Sequence, residues 1–355
     1  MALPAMYRRM RVAKLSTQFR DAVDIVTQPM PTPGPGELLV RNRYIGINAS
    51  DVNYTAGRYN PGTAPPFNIG FEAVGQVVRT GGSDCGDIKE GDAIAIMYDG
   101  SFSEYNVVPA RRTFRLPRLD AGYVPLLVSA LTAAISLEEL GDLAPGKTVL
   151  VTAAAGGTGQ FAVQVAKAAG CKVLGTCSTD EKVRFLRELG CDHAINYKTE
   201  DLKKVLRDEY PAGVDCIYES VGGDTFDTCV KSLATHGNLI IIGFITGYEN
   251  DLGFPMGRYA GMPPMLLRRS ASVRGFFLFH HTKKWKSHFL QLASLYEQGK
   301  LKSLVDDGSQ SGRAPFRGID SIPDAVEYLY SKQSQGKVVV DLWKDEPSAG
   351  TRSRL

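Results

Sequence analysis

Between Val12 and about Pro117, apolar and polar positions alternate in short runs, each closed by Gly or Pro. "PTPGPGELLVRNRYIGIN" reads as a turn followed by a long extended segment, and "GQVVRT", "DAIAIM" and "SFSEYNVVPA" read as further strands. Runs of this kind between turn residues mark strands, so residues 1–125 are expected to form a β-rich domain whose first strand begins near Val12.

From about Leu126 the period changes. "KTVLVTAA", "CKVLGTCS", "HAINY", "VDCIYESVG", "NLIIIGFI" and "SVRGFFL" are strand-like, and amphipathic stretches such as "GQFAVQVAKAAG", "DEKVRFLRELG", "DLKKVLRDEYP" and "DTFDTCVKSLATHG" lie between them. Parallel strands need crossover helices, so this alternation predicts an α/β fold with a doubly wound parallel sheet over residues 126–280. A helix "KSHFLQLASLYEQGK", a strand near Leu304, a helix "DSIPDAVEYLYSKQ" and the extended "GKVVVDLW" follow. Residues 281–346 are therefore expected to return to the first domain, with 347–355 a loose tail.

Composition narrows the function classes. The 355 residues carry a net charge of +3, with no block of like charge and no aromatics interleaved with Lys and Arg, which argues against a nucleic-acid surface. The six cysteines form no C-x-x-C pair and read as reduced thiols. No uninterrupted apolar run reaches the ~20 residues of a membrane span. The N-terminal Arg8, Arg9, Arg11 and Lys14 lack the apolar core of a secretory signal. The ending Ser353-Arg354-Leu355 resembles the Ser-Lys-Leu peroxisomal address, implying a peroxisomal import receptor as partner; cytoplasm and mitochondrion are the alternatives.

The chemistry begins in "VLVTAAAGGTGQFAVQ", where Ala153, Gly156 and Gly159 follow a strand and open a helix, with Gly157 and Thr158 completing the turn. This A-x-x-G-x-x-G spacing is a variant of the Rossmann fingerprint: small residues let the backbone approach a pyrophosphate, and the helix N-terminus supplies N–H donors. At the tip of the second strand, where an acid would bind the ribose of NAD, the chain reads Thr176, Cys177, Ser178. Ser178, Lys182 and Tyr197 are suited to a 2′-phosphate, so the cofactor is expected to be NADPH, with NADH through Asp180 the alternative. Ser178 and Glu181 also form an S-x-x-E capping box.

"NASDVNYTAGRYNPG", "IGFE", "TAAAGGTGQ", "GTCSTDEK", "YESVGG", "IGFITGY" and "GFFL" together resemble the medium-chain dehydrogenase/reductase family, in its zinc-free quinone-oxidoreductase-like branch. The resemblance covers all but the first few residues and the tail. It implies a GroES-like β-rich domain completed by the C-terminal segment, a Rossmann domain inserted between, and a homodimer. It further implies that Asn48, Ser220, Phe244, Tyr248, Phe276, Phe277, Leu278 and Ser334 border the cofactor. Ser334 stands where the family places Asn.

Zinc-dependent members take a Cys, a His and a second Cys as ligands. This chain has Asn48 and Phe71 in the first two places, and the Cys-free "LLVSALTAA" in the third. Three protein ligands are needed at a catalytic zinc, so no metal is expected, and Glu72 is expected to serve as a scaffold carboxylate. Without a Lewis acid at the carbonyl, hydride can still add to the β-carbon of a conjugated enone, leaving an enolate that hydrogen bonds stabilise. Tyr59 matches the active-site tyrosine of the family's enoyl reductases, and an ordinary phenol keeps its proton at neutral pH. Tyr54 is its competitor. The expected activity is therefore NADPH-dependent reduction of α,β-unsaturated ketones, with the 13,14 double bond of 15-oxo-prostaglandins the implied target. Quinone or general alkenal reduction is the alternative, and non-enzymatic NADPH binding is a rival of another class. The Gly-, Pro- and Met-rich run after Phe244 is expected to be a long loop adapted to a flexible acyl chain.

Overall fold

The computed structural model describes residues 3–250 and 261–343. The chain divides into two units, Met1–Val128 with Val305–Leu355, and Ser129–Leu304.

In the first unit β1 (Met6–Val12) is the middle of a three-stranded antiparallel sheet, between β2 (Val23–Pro29) and the short β4 (Phe67–Asn68). It starts before Val12 because its arginines are strand residues. Tyr7, Met10 and Val12 are buried, while Arg8 reaches Glu104 at 2.9 Å and Arg11 reaches Asp24 at 2.8 Å. β3 (Glu37–Gly46) is the spine of the larger sheet. It pairs antiparallel with β5 (Glu72–Thr80) and β7 (Tyr105–Pro109), and beyond β5 lie β6 (Ala93–Met97) and β8 (Thr113–Leu116). Short helices α1 (Phe19–Ala22) and α2 (Ser50–Thr55) interrupt the strands.

The second unit is a six-stranded parallel sheet. In chain order its strands are β9 (Thr148–Val151), β10 (Lys172–Cys177), β11 (His193–Asn196), β12 (Val214–Glu219), β13 (Leu233–Ile241) and β14 (Ser272–Gly275). In space the order is β11-β10-β9-β12-β13-β14, so the winding reverses between β9 and β12. That switch point is where open α/β sheets bind ligands, beyond the carboxyl ends of the strands. The helices are α3 (Val128–Leu140), α4 (Gly159–Ala168), α5 (Asp180–Glu188), α6 (Leu202–Glu209), α7 (Gly223–Lys231), α8 (Met262–Arg269) and α9 (Thr282–Glu297). Leu150, Leu174, Ile217 and Leu239 of the strands pack with Phe226 and Leu206 of the helices in one core.

Four features depart from the sequence pattern. Helix α7 stops at Lys231 and β13 begins at Leu233, pairing Leu233 with Val214; the helical period up to Gly237 yields to this pairing. Part of the Met-rich run forms α8, whose Met262 and Met265 pack against the core; residues 251–260 of that run lie outside the described residues. Ala121–Leu140 is long and apolar enough to cross a membrane, but 78% of its apolar window is buried, as in a core helix. Finally, residues 281–304 belong to the second unit and not to the first. Helix α9 is fastened to α3 there, by Lys284 Nζ at 2.7 Å from Glu138 Oε1 and His288 Nε2 at 2.7 Å from Glu138 Oε2. The chain re-enters the first unit at β15 (Val305–Asp306), followed by α10 (Ile322–Tyr330) and β16 (Lys337–Asp341), and β16 pairs antiparallel with β3.

Candidate functional site

Fourteen of the predicted residues lie in the second unit, most of them just beyond the carboxyl ends of its strands. Ala153 and Gly156 through Gly159 follow β9, Ser178 and Lys182 follow β10, and Tyr197 follows β11. Ser220 follows β12, Phe244 and Tyr248 follow β13, and Phe276, Phe277 and Leu278 follow β14. A parallel sheet sends every βα loop to the same edge, so residues spread over 126 positions of sequence converge there.

The turn after β9 is cut for a backbone-bound anion. Ala153 is exposed and has a left-handed φ of 47°. A Cβ on Gly159 would lie 2.5 Å from Ala153 O and 2.7 Å from Ala154 Cα. No side chain fits between turn and helix, and the N-terminus of α4 stays open. Ala154 N donates to Thr176 O at 2.9 Å, which fixes the turn to the next strand.

At the tip of β10, Ser178 and Lys182 are both buried, and Lys182 Nζ lies 3.4 Å from Ser178 Oγ. The helix cap is not Ser178. Thr179 is the N-cap of α5, its hydroxyl accepting from Lys182 N at 3.2 Å, so the Ser178 hydroxyl is not spent on capping. Asp180, the residue that would favour NADH, accepts from Asn196 Nδ2 at 2.9 Å. Tyr197 is 45% exposed. In the last loops Tyr248 Oη accepts from Phe244 N at 3.1 Å, Phe276 stacks on His281 with ring centroids 4.6 Å apart, and Phe277 is exposed between two buried neighbours.

In the first unit Asn48 sits in a closed charged network. Lys337 Nζ lies 2.5 Å from Glu72 Oε1 and donates to Asn48 Oδ1 at 2.6 Å, and Asn48 Nδ2 donates to the same Glu72 oxygen at 3.0 Å. Glu72 Oε2 accepts from Val128 N at 2.8 Å. Glu72 is fully buried and Lys337 nearly so. The opposite charges on its two sides dictate how the Asn48 amide lies, oxygen to the ammonium and nitrogen to the carboxylate. Asp51, also fully buried, accepts from Asn48 N at 2.8 Å, and burial pushes its carboxyl up to about 8.

A zinc ion does not fit this donor set. The expected histidine position holds Phe71, whose buried ring meets Tyr54 edge-on with centroids 4.9 Å apart. Glu72 is already neutralised by Lys337, and an ammonium at 2.5 Å repels a dication from the same oxygen. The edge-on contact with Phe71 makes Tyr54 a packed core aromatic, buried and also set against Phe67. Tyr59 is half-buried beyond α2. Asn53 accepts from Arg58 at 3.0 Å. Ser334 is buried in the segment before β16. Lys337 has one trace in the sequence, a charge opening the apolar strand "GKVVVDLW".

Comparison with known proteins agrees with both units. Residues 34–118 match the model "Alcohol dehydrogenase GroES-like domain", and residues 157–294 match "Zinc-binding dehydrogenase". Mouse prostaglandin reductase-3 is 51% identical over 342 residues, 96% of this chain and 91% of that protein. A Leishmania amazonensis protein named probable quinone oxidoreductase is 42% identical over 96% of this chain and all of its own. Among solved structures, Escherichia coli quinone oxidoreductase complexed with NADPH superposes with a TM-score of 0.79 at 27% identity, covering 94% of this chain and 99% of that one. The chain belongs to the medium-chain dehydrogenase/reductase family, in its zinc-free quinone-oxidoreductase-like branch.

Proposed function

We propose that this protein reduces the carbon–carbon double bond of α,β-unsaturated ketones with NADPH, and that 15-oxo-prostaglandins, reduced at the 13,14 bond, are its substrates. The observation that carries the reading is the 51% identity to prostaglandin reductase-3 across 96% of the chain. When bound, NADPH supplies a hydride for the β-carbon of the enone, which leaves negative charge on the carbonyl oxygen. The turn from Ala153 to Gly159 would hold the pyrophosphate at the start of α4, and Ser178, Lys182 and Tyr197 would hold the 2′-phosphate. The Tyr59 hydroxyl hydrogen-bonds the developing enolate oxygen, and a proton delivered to the α-carbon completes the saturated ketone. Lys337 and Glu72 keep the Asn48 amide in one orientation.

The purified protein is expected to consume NADPH with an α,β-unsaturated ketone, and Tyr59→Phe to lose on the order of 100-fold in kcat. A variant as fast as the parent would remove Tyr59 from the mechanism. A substrate panel that favours quinones would instead support the reaction named for the Leishmania and Escherichia coli relatives. NADPH binding without turnover of any acceptor would leave a binding protein.

Lys182→Ala is expected to weaken NADPH about tenfold, ~1.4 kcal/mol, and to leave NADH unchanged. Equal losses for the two cofactors would mean that Lys182 does not meet the 2′-phosphate.

We further propose a homodimer; β11 and β14 are the two outer strands of the parallel sheet, each paired on one side within it. Peroxisomal import through Ser353-Arg354-Leu355 is proposed from the sequence; these residues lie outside the described ones.

A further inference from the structure

Glu219 closes β12 and is fully buried. No lysine or arginine pairs with it among the described residues. Its Oε1 accepts from Val221 N at 2.8 Å and Gly222 N at 3.0 Å, and Gly222 N lies 3.2 Å from Oε2 as well. Thr152 Oγ1 accepts from Ser220 N at 2.9 Å, and its one proton is shared between Tyr218 O at 3.3 Å and Glu219 Oε1 at 3.4 Å. Every partner of the carboxyl is a donor, the arrangement an anion requires. Burial works the other way and pushes the group up to about 7. The titratable side chain facing it is Cys229 of α7, whose own burial keeps the thiol neutral.

The two ends of this cluster are functional backbone. Thr152 immediately precedes Ala153, the first residue of the dinucleotide turn, and its N–H donates to Tyr218 O at 3.0 Å. On the other side the 220–222 loop carries the segment with Phe244 and Tyr248. Ile245 N donates to Ser220 O at 3.2 Å, and Thr246 donates to Val221 O through its N–H at 3.1 Å and its hydroxyl at 2.7 Å. Gly222 has a left-handed φ of 81°, and a Cβ there would lie 2.9 Å from Phe244 Cβ. Loop and segment therefore move together.

We propose that Glu219 is a positioning residue for the cofactor: its carboxylate ties the dinucleotide turn to the 220–222 loop and through it to Phe244 and Tyr248, so that the protein holds NADPH more tightly with Glu219 ionised than protonated. The proposal rests on NADPH as cofactor and is independent of the substrate. A proton on Oε2 weakens its 3.2 Å contact with Gly222 N and takes the negative charge from Oε1, which then holds Val221 N and Gly222 N only as a neutral carbonyl. Glutamine at 219 has the same size but turns an NH2 toward one of these donors at every pH.

The test measures NADPH dissociation constants, by fluorescence of the reduced nicotinamide, for the parent and Glu219→Gln near pH 8 and near pH 6. Both proteins share the ionisation of the 2′-phosphate, so the comparison isolates Glu219. Between those pH values the parent is expected to weaken about threefold more than the variant, which binds weakly at both. A second readout needs no variant. In the parent labelled with carboxyl-¹³C glutamate, the Glu219 titration midpoint should fall on saturation with NADPH, by the same linkage. Equal pH ratios in the two proteins, or a midpoint that NADPH leaves in place or raises, overturn the proposal. Failure of the parent to bind NADPH overturns the cofactor reading with it, whereas binding without the pH difference overturns the proposal alone.

Discussion

Lys337→Met is expected to lower the stability of the protein by about 3–5 kcal/mol, the cost of leaving a buried charge without its partner. The residue left behind is Glu72, fully buried, whose Oε1 would keep the Asn48 amide and whose Oε2 would keep Val128 N. Those two neutral donors cannot replace an ammonium at 2.5 Å. The carboxylate is also closely packed on its Gly46 side, where a Cβ would fall on Glu72 Oε1 and lie 2.8 Å from Val124 Cγ1. Urea unfolding of the full chain reads the loss directly. The double variant Lys337→Met with Glu72→Gln removes both charges and should recover most of it, because a neutral buried amide carries no comparable desolvation cost. Methionine at 337 that shifts stability by less than about 1 kcal/mol would show that the pair contributes little in the native state. The contact joins β5 to β16, residues 265 positions apart, so its loss should loosen the return of the C-terminal strand onto β3.

The network also marks the limit of what the sequence discloses. Asn48 and Phe71 show by themselves that two metal ligands are missing, because zinc tolerates few donor types. They do not show what neutralises Glu72. That information lies in a lysine at the far end of the chain, brought to Asn48 only when β16 pairs with β3 and Ile47 N bonds Val338 O at 2.9 Å. The parallel sheet, by contrast, is written locally. Each of its strands is a short apolar run, each crossover is needed to connect parallel neighbours, and the turn after β9 announces itself through its small residues. Where the reading slips, a neighbour that the residue pattern does not single out decides the outcome. Ser178 has the spacing of a capping box, yet Thr179 takes the cap and leaves the Ser178 hydroxyl beside Lys182. Tyr54 has the chemistry of a catalytic phenol but is packed against Phe67 and Phe71. Glu219 reads as an ordinary strand residue until the fold places two backbone N–H groups around it.

Gly159→Val is expected to abolish useful cofactor binding, with NADPH weakened on the order of 100-fold, ~2.7 kcal/mol. The first atom of the new side chain meets Ala153 O at 2.5 Å and Ala154 O at 2.7 Å, closer than real contacts allow. Neither carbonyl can retreat cheaply. Ala153 N is bonded to Thr176 Oγ1 at 3.1 Å and Ala154 N to Thr176 O at 2.9 Å, while Ala153 O accepts from Gly156 N at 2.9 Å. The start of α4 must therefore swing away from the turn, carrying with it the N–H groups that would meet the pyrophosphate. Overpacking of this kind costs about 1–3 kcal/mol of stability, a smaller effect than that of Lys337→Met, so the variant should still fold. The two variants thus separate two kinds of damage. Lys337→Met acts first on unfolding in the first unit, and Gly159→Val acts first on NADPH affinity in the second. Fluorescence titration with NADPH and a urea curve on each protein distinguish them. A folded Gly159→Val protein with the parent's NADPH affinity would mean that the pyrophosphate is not held at the start of α4.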